Sequence, residues 1–440
     1  MNRARAHTAN RLGLTEHSLR PALLHEAHAR PFEVLEAPLH VSHLALYTGT
    51  DSASQEAEHV ARLCQRLGVE RPAEGSSHCV VEAPGFRLRW ERHTEFSTYT
   101  LFVPDPRNAP FALRAVDLAP QGWVAQLPGE LLAASHLSLV PEDAVGSRAD
   151  ALARWFDRDA LAGSLCAGGA ASVWTDFRSG DDGFTRFVVL DRGLRPSQAG
   201  RLVQRLLEIE TYRMMALLAF PTARELGPQI GSMETQLGDL TDRMAEVQAL
   251  SDEQALLGAL SRLSAEVEHT MARTNFRFSA TEAYGSLVRR RIDALREQRI
   301  EGVSTLAEFM ERRFAPALAT CSYIRDRLDR LSRRVSRAAN LLRTRVDVAL
   351  EAQNRDLLKS MNRRARLQLR LQETVEGLSI VILSYYTVSL VGYAAKGLKG
   401  AGFPVPVDVV TGLSIPAVAA IVAIGILRLR RGVEKADNGD

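Results

Sequence analysis

GLSIVILSYYTVSLVGYAA, residues Gly377–Ala395, contains no charged side chain. Its length is close to the roughly 20 residues with which a helix crosses a hydrocarbon core about 30 Å thick. A second uncharged run follows at Val409–Leu427, VVTGLSIPAVAAIVAIGIL. The link between them, KGLKGAGFPVPVD, is rich in Gly and Pro, as a tight turn requires. Two such runs in tandem are hard to bury in a water-soluble core. The expected element is a transmembrane helical hairpin over 377–427.

The flanks set its direction. Arg363, Arg364, Arg366 and Arg370 precede the first run, and Arg428, Arg430, Arg431 and Lys435 follow the second. The link holds only Lys396 and Lys399. An excess of Lys and Arg marks the cytoplasmic side, so both termini are expected in the cytoplasm, with the hairpin in a bacterial inner membrane. Inside the first run, Ser379, Tyr386 and Tyr393 recur every seven residues and share a helix face. Together with Glu376 at the mouth of the helix, that face can line a pore or meet another subunit. The alternative is local: a Ser hydroxyl bonds its own helix, tyrosine rings sit at the interface, and Glu376 lies at headgroup level.

Upstream, no Gly or Pro interrupts Ala317 to Glu376. That stretch reads as one helix of about 90 Å running into the membrane. Ile324, Leu328, Leu331, Val335, Ala338 and Leu342 alternate gaps of four and three, as a coiled-coil seam does, and so do Ile230, Met233, Leu237, Leu240, Met244 and Val247. Each seam needs a partner, either within the chain or in another copy. The stalk, 196–376, is therefore expected to carry homo-oligomerisation. Arg312 to Arg370 holds sixteen Lys and Arg against five Asp and Glu, although the whole chain carries only +3. A basic rod follows an acidic head. No aromatic side chains interleave the arginines from Arg325 to Arg370, so nucleic acid is not expected as a partner.

Residues 1–195 read as a mixed α/β head. LHVSHLALYTG, HCVVEA, FRLRWERH, FSTYTLFV, SHLSLV, SVWTDF and FTRFVVL have strand character, and the last two are joined as a hairpin. SASQEAEHVARLCQRLG reads as an amphipathic helix, and Pro196 opens the helical half. Four cysteines, Cys64, Cys79, Cys166 and Cys321, lie on separate elements and form no Cys-x-x-Cys pair. They read as reduced cytoplasmic thiols. The opening segment MNRARAHTANRLGLTEH has no apolar stretch of the kind a cleaved signal peptide needs.

Four histidines, His25, His28, His40 and His43, invite a metal reading. His25 and His28 can share a helix face, whereas His40 and His43 fall on opposite faces of a strand. Without Cys partners or a third ligand at fixed spacing, no metal or cofactor is expected. The densest polar cluster is WERHTEFSTYT, with Glu91, Arg92, His93, Glu95 and Tyr99. It is expected to form a polar network or ligand pocket. A His beside two carboxylates suits acid–base work. However, no nucleophile motif or phosphate loop accompanies it, and no catalysis is expected.

HEAHARP, SHLALYTG, WERHTEFSTYT, GRLVQRLLEIETYRMMALL, LLRTRVDVALEAQN and LQETVEGLS, in this order, resemble a proteobacterial membrane-anchored family known as domain of unknown function 3422. That resemblance implies membrane anchoring and supplies no activity. The architecture is also similar to that of CorA-type magnesium transporters, which implies a cation channel built around the long helix. The Gly-Met-Asn signature of those transporters is missing, since VGYAAKG stands in its place from Val391. The expected whole is an α+β protein: a cytoplasmic head that senses or scaffolds, a coiled-coil stalk, a membrane hairpin and a basic tail over 428–440. The runner-up is a divergent CorA-like channel for a divalent cation.

Overall fold

The computed structural model describes residues 17–20, 32–49, 52–73, 75–107, 109–145, 148–402, 404 and 406–437. His25 and His28 lie outside the described residues. The chain divides into two compact units, Met1–Glu246 with Gly258–Ala339, and Val247–Leu257 with Asn340–Asp440.

The first unit is built on a mixed sheet. Its strands are β1 (Leu39–Tyr47), β2 (His78–Ala83), β3 (Phe86–Arg92), β4 (Phe96–Pro104), β5 (Glu130–Pro141), β6 (Ala162–Cys166), β7 (Ala171–Thr175), β8 (Thr185–Asp191) and β9 (Gln298–Arg299). Among the described residues they run in the order β2-β3-β4-β1-β5-β8-β7-β6-β9. The β5–β8 pair is parallel and the others are antiparallel. Helices are α1 (Ala53–Leu67), α2 (Arg148–Trp155), α3 (Pro196–Leu217), α4 (Ala219–Glu246), α5 (Leu250–Leu295), α6 (Leu306–Arg313), α7 (Ala315–Gly400) and α8 (Val407–Asp437).

Alternation along the strands divides the side chains between two faces. On one face Val41, Phe96, Phe102, Leu137, Phe187 and Val189 pack against Leu202, Val203 and Leu206 of α3 and against Val288 and Ile292 of α5. On the other face Leu44, Leu88, Trp90, Tyr99 and Leu101 pack against Val60, Leu63 and Cys64 of α1 and against Trp123. Further along that second face Val188 and Leu190 meet Leu152 and Phe156, from α2 and the turn after it. The sheet is thus covered on both sides, as a mixed sheet with buried strands requires.

Segment 33–35 crosses the start of α3 closely. The Leu35 amide donates to the Pro196 carbonyl at 3.1 Å. A Cβ on Gly200 would stand 1.7 Å from the Glu33 carbonyl oxygen, so only glycine fits there.

In the same unit α4 and α5 flank the first part of α7. Arg327 pairs with Glu234 at 2.6 Å, and the Ser332 hydroxyl donates to Glu268 at 2.6 Å. Ile230, Met233, Leu237, Leu240 and Met244 are buried, as are Ile324, Leu328, Leu331 and Val335. These stretches of both seams are therefore covered within one chain. Val247 is only half-buried, and at the next turn of α7 the buried residue is Ala339 rather than Ala338, one position on in the four-three pattern.

In the second unit α7 continues without a break to Gly400, and Leu342 and Val346 are its last buried seam positions. Beyond them Leu357, Met361, Arg363, Arg364, Arg366 and Arg370 are exposed. Two helical stretches are long and apolar enough to cross a membrane, and they are 6% and 0% buried.

Candidate functional site

Between the sheet and α3 lies a cavity of about 260 Å³. Period-two alternation places Arg89 and Glu91 of β3 on its wall, beside Thr98 and Thr100 of β4 and His43 of β1. The intervening Leu88, Trp90, Tyr99 and Leu101 point into the opposite core. On the helical side, Gly200, Gln204, Glu208 and Thr211 repeat every three or four residues and line the cavity as one face of α3. Arg291 of α5 and Glu33 close the rim.

The polar groups form a connected network. The buried Arg89 places Nη2 2.6 Å from Glu91 Oε1 and donates from Nη1 to Gln204 Oε1 at 3.5 Å, with Glu33 at 4.0 Å. Arg87 holds the other Glu33 oxygen at 2.8 Å. Gln204 donates to Glu208 Oε1 at 2.8 Å, and Glu208 also pairs with Arg291. His43 puts Nδ1 2.8 Å from the Thr100 hydroxyl and Nε2 3.0 Å from the Thr211 hydroxyl. Burial, aided by repulsion from His93 and Arg89, pushes the His43 pKa down to about 3, so the ring is neutral. His93 stacks on Phe96 with centroids 4.3 Å apart.

The WERHTEFSTYT cluster thus separates into three places. Glu91 and His93 reach the cavity. Arg92 is half-buried at the end of β3 and does not line it. Glu95 turns away to a buried ion pair with Arg277 of α5. Tyr99 lies on the far face, edge-on to Trp123, where burial raises its phenol pKa. His40 and His43 do face opposite sides of β1. His40 lies 3.0 Å from Ser138 and 3.3 Å from Asp105. Arg89, Gln204, Glu208 and Arg291 were missed in the sequence. The available signal was the polar stripe Gln204, Glu208 and Thr211, spaced four and three apart on one face of α3.

Chemically the cavity offers three carboxylates, two guanidiniums, threonine hydroxyls and an aromatic wall of Phe96, Phe102 and Tyr212. Such a lining suits a small ligand with both polar and apolar parts. Among the described residues no cluster of three or more His, Cys, Asp or Glu can hold a metal ion.

In the second unit, Ser379 bonds its own helix, donating to the Val375 carbonyl at 2.9 Å. Gln372 donates to Glu376 at 3.4 Å. The two apolar helices meet through small residues: a Cβ on Gly392 would lie 3.4 Å from the Thr411 hydroxyl. Ala395 and Val418 are buried nearby in sequence, while Tyr386 and Tyr393 are 64% and 72% exposed. Arg428 is exposed on α8, and Arg430 and Arg431 belong to the same helix.

Fold and site define a class of protein: an α+β head with a cavity lined by charged and aromatic side chains, joined through a long helix to two exposed apolar helices. The chain belongs to the family described as "Protein of unknown function (DUF3422)", whose pattern matches residues 15–433. Comparison with curated proteins found none that matches.

Proposed function

We propose that this protein is a non-catalytic sensor anchored in the bacterial inner membrane, with both termini cytoplasmic, whose head binds a small ligand with polar and apolar parts in the Arg89–Glu91–Gln204 cavity. The observation that carries this reading is the cavity itself. Charged side chains that pair with one another are gathered there beside aromatic ones, a lining that can recognise a small ligand. The lining offers no activated nucleophile and no metal cluster, which supports binding over turnover. The anchor is the hairpin of apolar helices, its orientation follows from the arginines that flank it, and the bilayer is its first partner. The exposed part of α7 beyond Val346, with Leu357 and Met361 at its surface, supports association of several copies through the stalk.

The test is selection of bound small molecules from a cytoplasmic extract by the full chain in detergent, read by mass spectrometry against an Arg89→Ala protein. A compound held by the parent and released by the variant supports the reading. Equal recovery from both removes it.

A second reading, a divergent CorA-like cation channel, is favoured by one observation: Tyr386 and Tyr393 leave an exposed hydroxyl-bearing face on the first apolar helix. Mass measurement of the detergent-purified protein separates the two. A pentamer supports the channel, and a monomer or dimer ends it.

A further inference from the structure

Cys64 and Cys79 are far from a motif in sequence, yet the fold brings them together. Cys64 sits on the inner face of α1, fully buried beside Val60 and Leu63. Cys79 is paired in register with Trp90, so its side chain points to the same face of the sheet as Trp90 and packs against the same apolar cluster. Both side chains thus enter one apolar cluster, Cys64 within it and Cys79 against it, close enough for each to act on the other's titration. Their accessibilities differ. Cys79 lies on β2, the first strand of the sheet, and is only half-buried, while Cys64 is sealed. This asymmetry is that of an attacking thiol and a resolving thiol.

We propose that Cys64 and Cys79 form a reversible disulfide site, oxidised by low-molecular-weight disulfides of the glutathione class. In the first step Cys79 loses its proton and its sulfur attacks one sulfur of oxidised glutathione. The glutathione S–S bond breaks, and one glutathione thiolate leaves and is protonated. In the second step Cys64 loses its proton and attacks the Cys79 sulfur of the mixed disulfide, expelling the second glutathione as a thiol. Two protein thiols are oxidised, and one small disulfide is reduced to two thiols.

The link ties α1 to the edge strand β2 across the loop between them. Burial raises both thiol pKa values, that of Cys79 to about 11, so thiolate is scarce at neutral pH. The first attack is therefore slow and accelerates about tenfold per pH unit below that value.

The test uses the full chain in detergent, treated with oxidised glutathione, then denatured and alkylated. Cys166 and Cys321, both buried, serve as internal controls. The expected result is a linked peptide pair containing Cys64 and Cys79, with Cys166 and Cys321 alkylated and all four thiols restored by dithiothreitol. Cys64→Ala halts at a glutathione adduct on Cys79. Cys79→Ser, on the partly exposed strand, leaves Cys64 a free thiol throughout. Four alkylated thiols in the treated parent overturn the proposal, as does a parent in which Cys79 carries glutathione while Cys64 remains free.

Discussion

His43 of β1 and Thr211 of α3 are joined by a 3.0 Å hydrogen bond across the boundary between sheet and helix. With Thr100 2.8 Å from the other ring nitrogen, a neutral imidazole is held at both ends inside the cavity wall. The bond fixes the separation of the two surfaces that enclose the site.

That neutrality makes stability depend on pH. The His43 pKa is about 3 when folded and 6.5 when exposed, so between these values the unfolded chain binds more protons. The histidine therefore costs nothing above its ordinary pKa, and stability falls as pH drops through the window. His136, pushed down to about 4 by burial, acts in the same direction. Each contributes a slope of about 1 kcal/mol per pH unit inside the window. Urea unfolding of the full chain at a series of pH values measures it, and His43→Gln should flatten the profile. An unchanged slope in that variant would show that His43 is not held neutral.

Glu95 is 3% exposed and its carboxylate is gripped by Arg277, which also lies over the Tyr47 ring at 5.6 Å. Glu95→Ala strands a largely buried guanidinium and should cost about 3 kcal/mol. Adding Arg277→Ala should cost less than the second single change alone. Denaturant midpoints of the four proteins in the cycle give the coupling, and strict additivity would refute it.

Gly200→Ala tests the strap. The new methyl would collide with the Glu33 carbonyl, a backbone atom that cannot rotate away. Segment 33–35 must lift, releasing the Glu33 contacts to Arg87 and Arg89, at about 3 kcal/mol. The expected readouts are a lowered unfolding midpoint and faster proteolysis near Glu33. Unaltered stability and cleavage would mean the crossing is looser than described.

Ala401→Cys and Arg428→Cys probe orientation. In intact cells a membrane-impermeant maleimide should label the first and spare the second under the proposed topology, with the link outward and the tail inward. The reverse pattern would invert the topology.

The strands from Leu39 to Pro104 were legible because apolar and β-branched residues cluster between turn signals such as Pro84-Gly85, and the stalk part of α7 because no Gly or Pro interrupts Ala317 to Glu376. β6 was not legible: AGSLC has small residues and no period. Neither was β9, two residues between helices, whose pairing with β6 is set by tertiary contacts alone. At the site, the sequence placed Glu91 and His93 in a polar cluster but could not separate them from Glu95 and Tyr99. That separation depends on where β3 turns into β4. Arg291 stands 200 residues from Glu91 and becomes its neighbour only when α5 packs beside α3. The approach of Cys79 to Cys64 was hidden in the same way.

The sheet's last strand has a consequence for synthesis. Gln298 and Arg299 border β6 at Leu165 and Ser164, so that edge is closed by residues made more than a hundred positions later. While the ribosome is still adding the intervening helices, that edge of β6 presents bare amides and carbonyls. The apolar tail emerges later still. The chain can thus complete its sheet before the two apolar runs, Gly377–Ala395 and Val409–Leu427, are made.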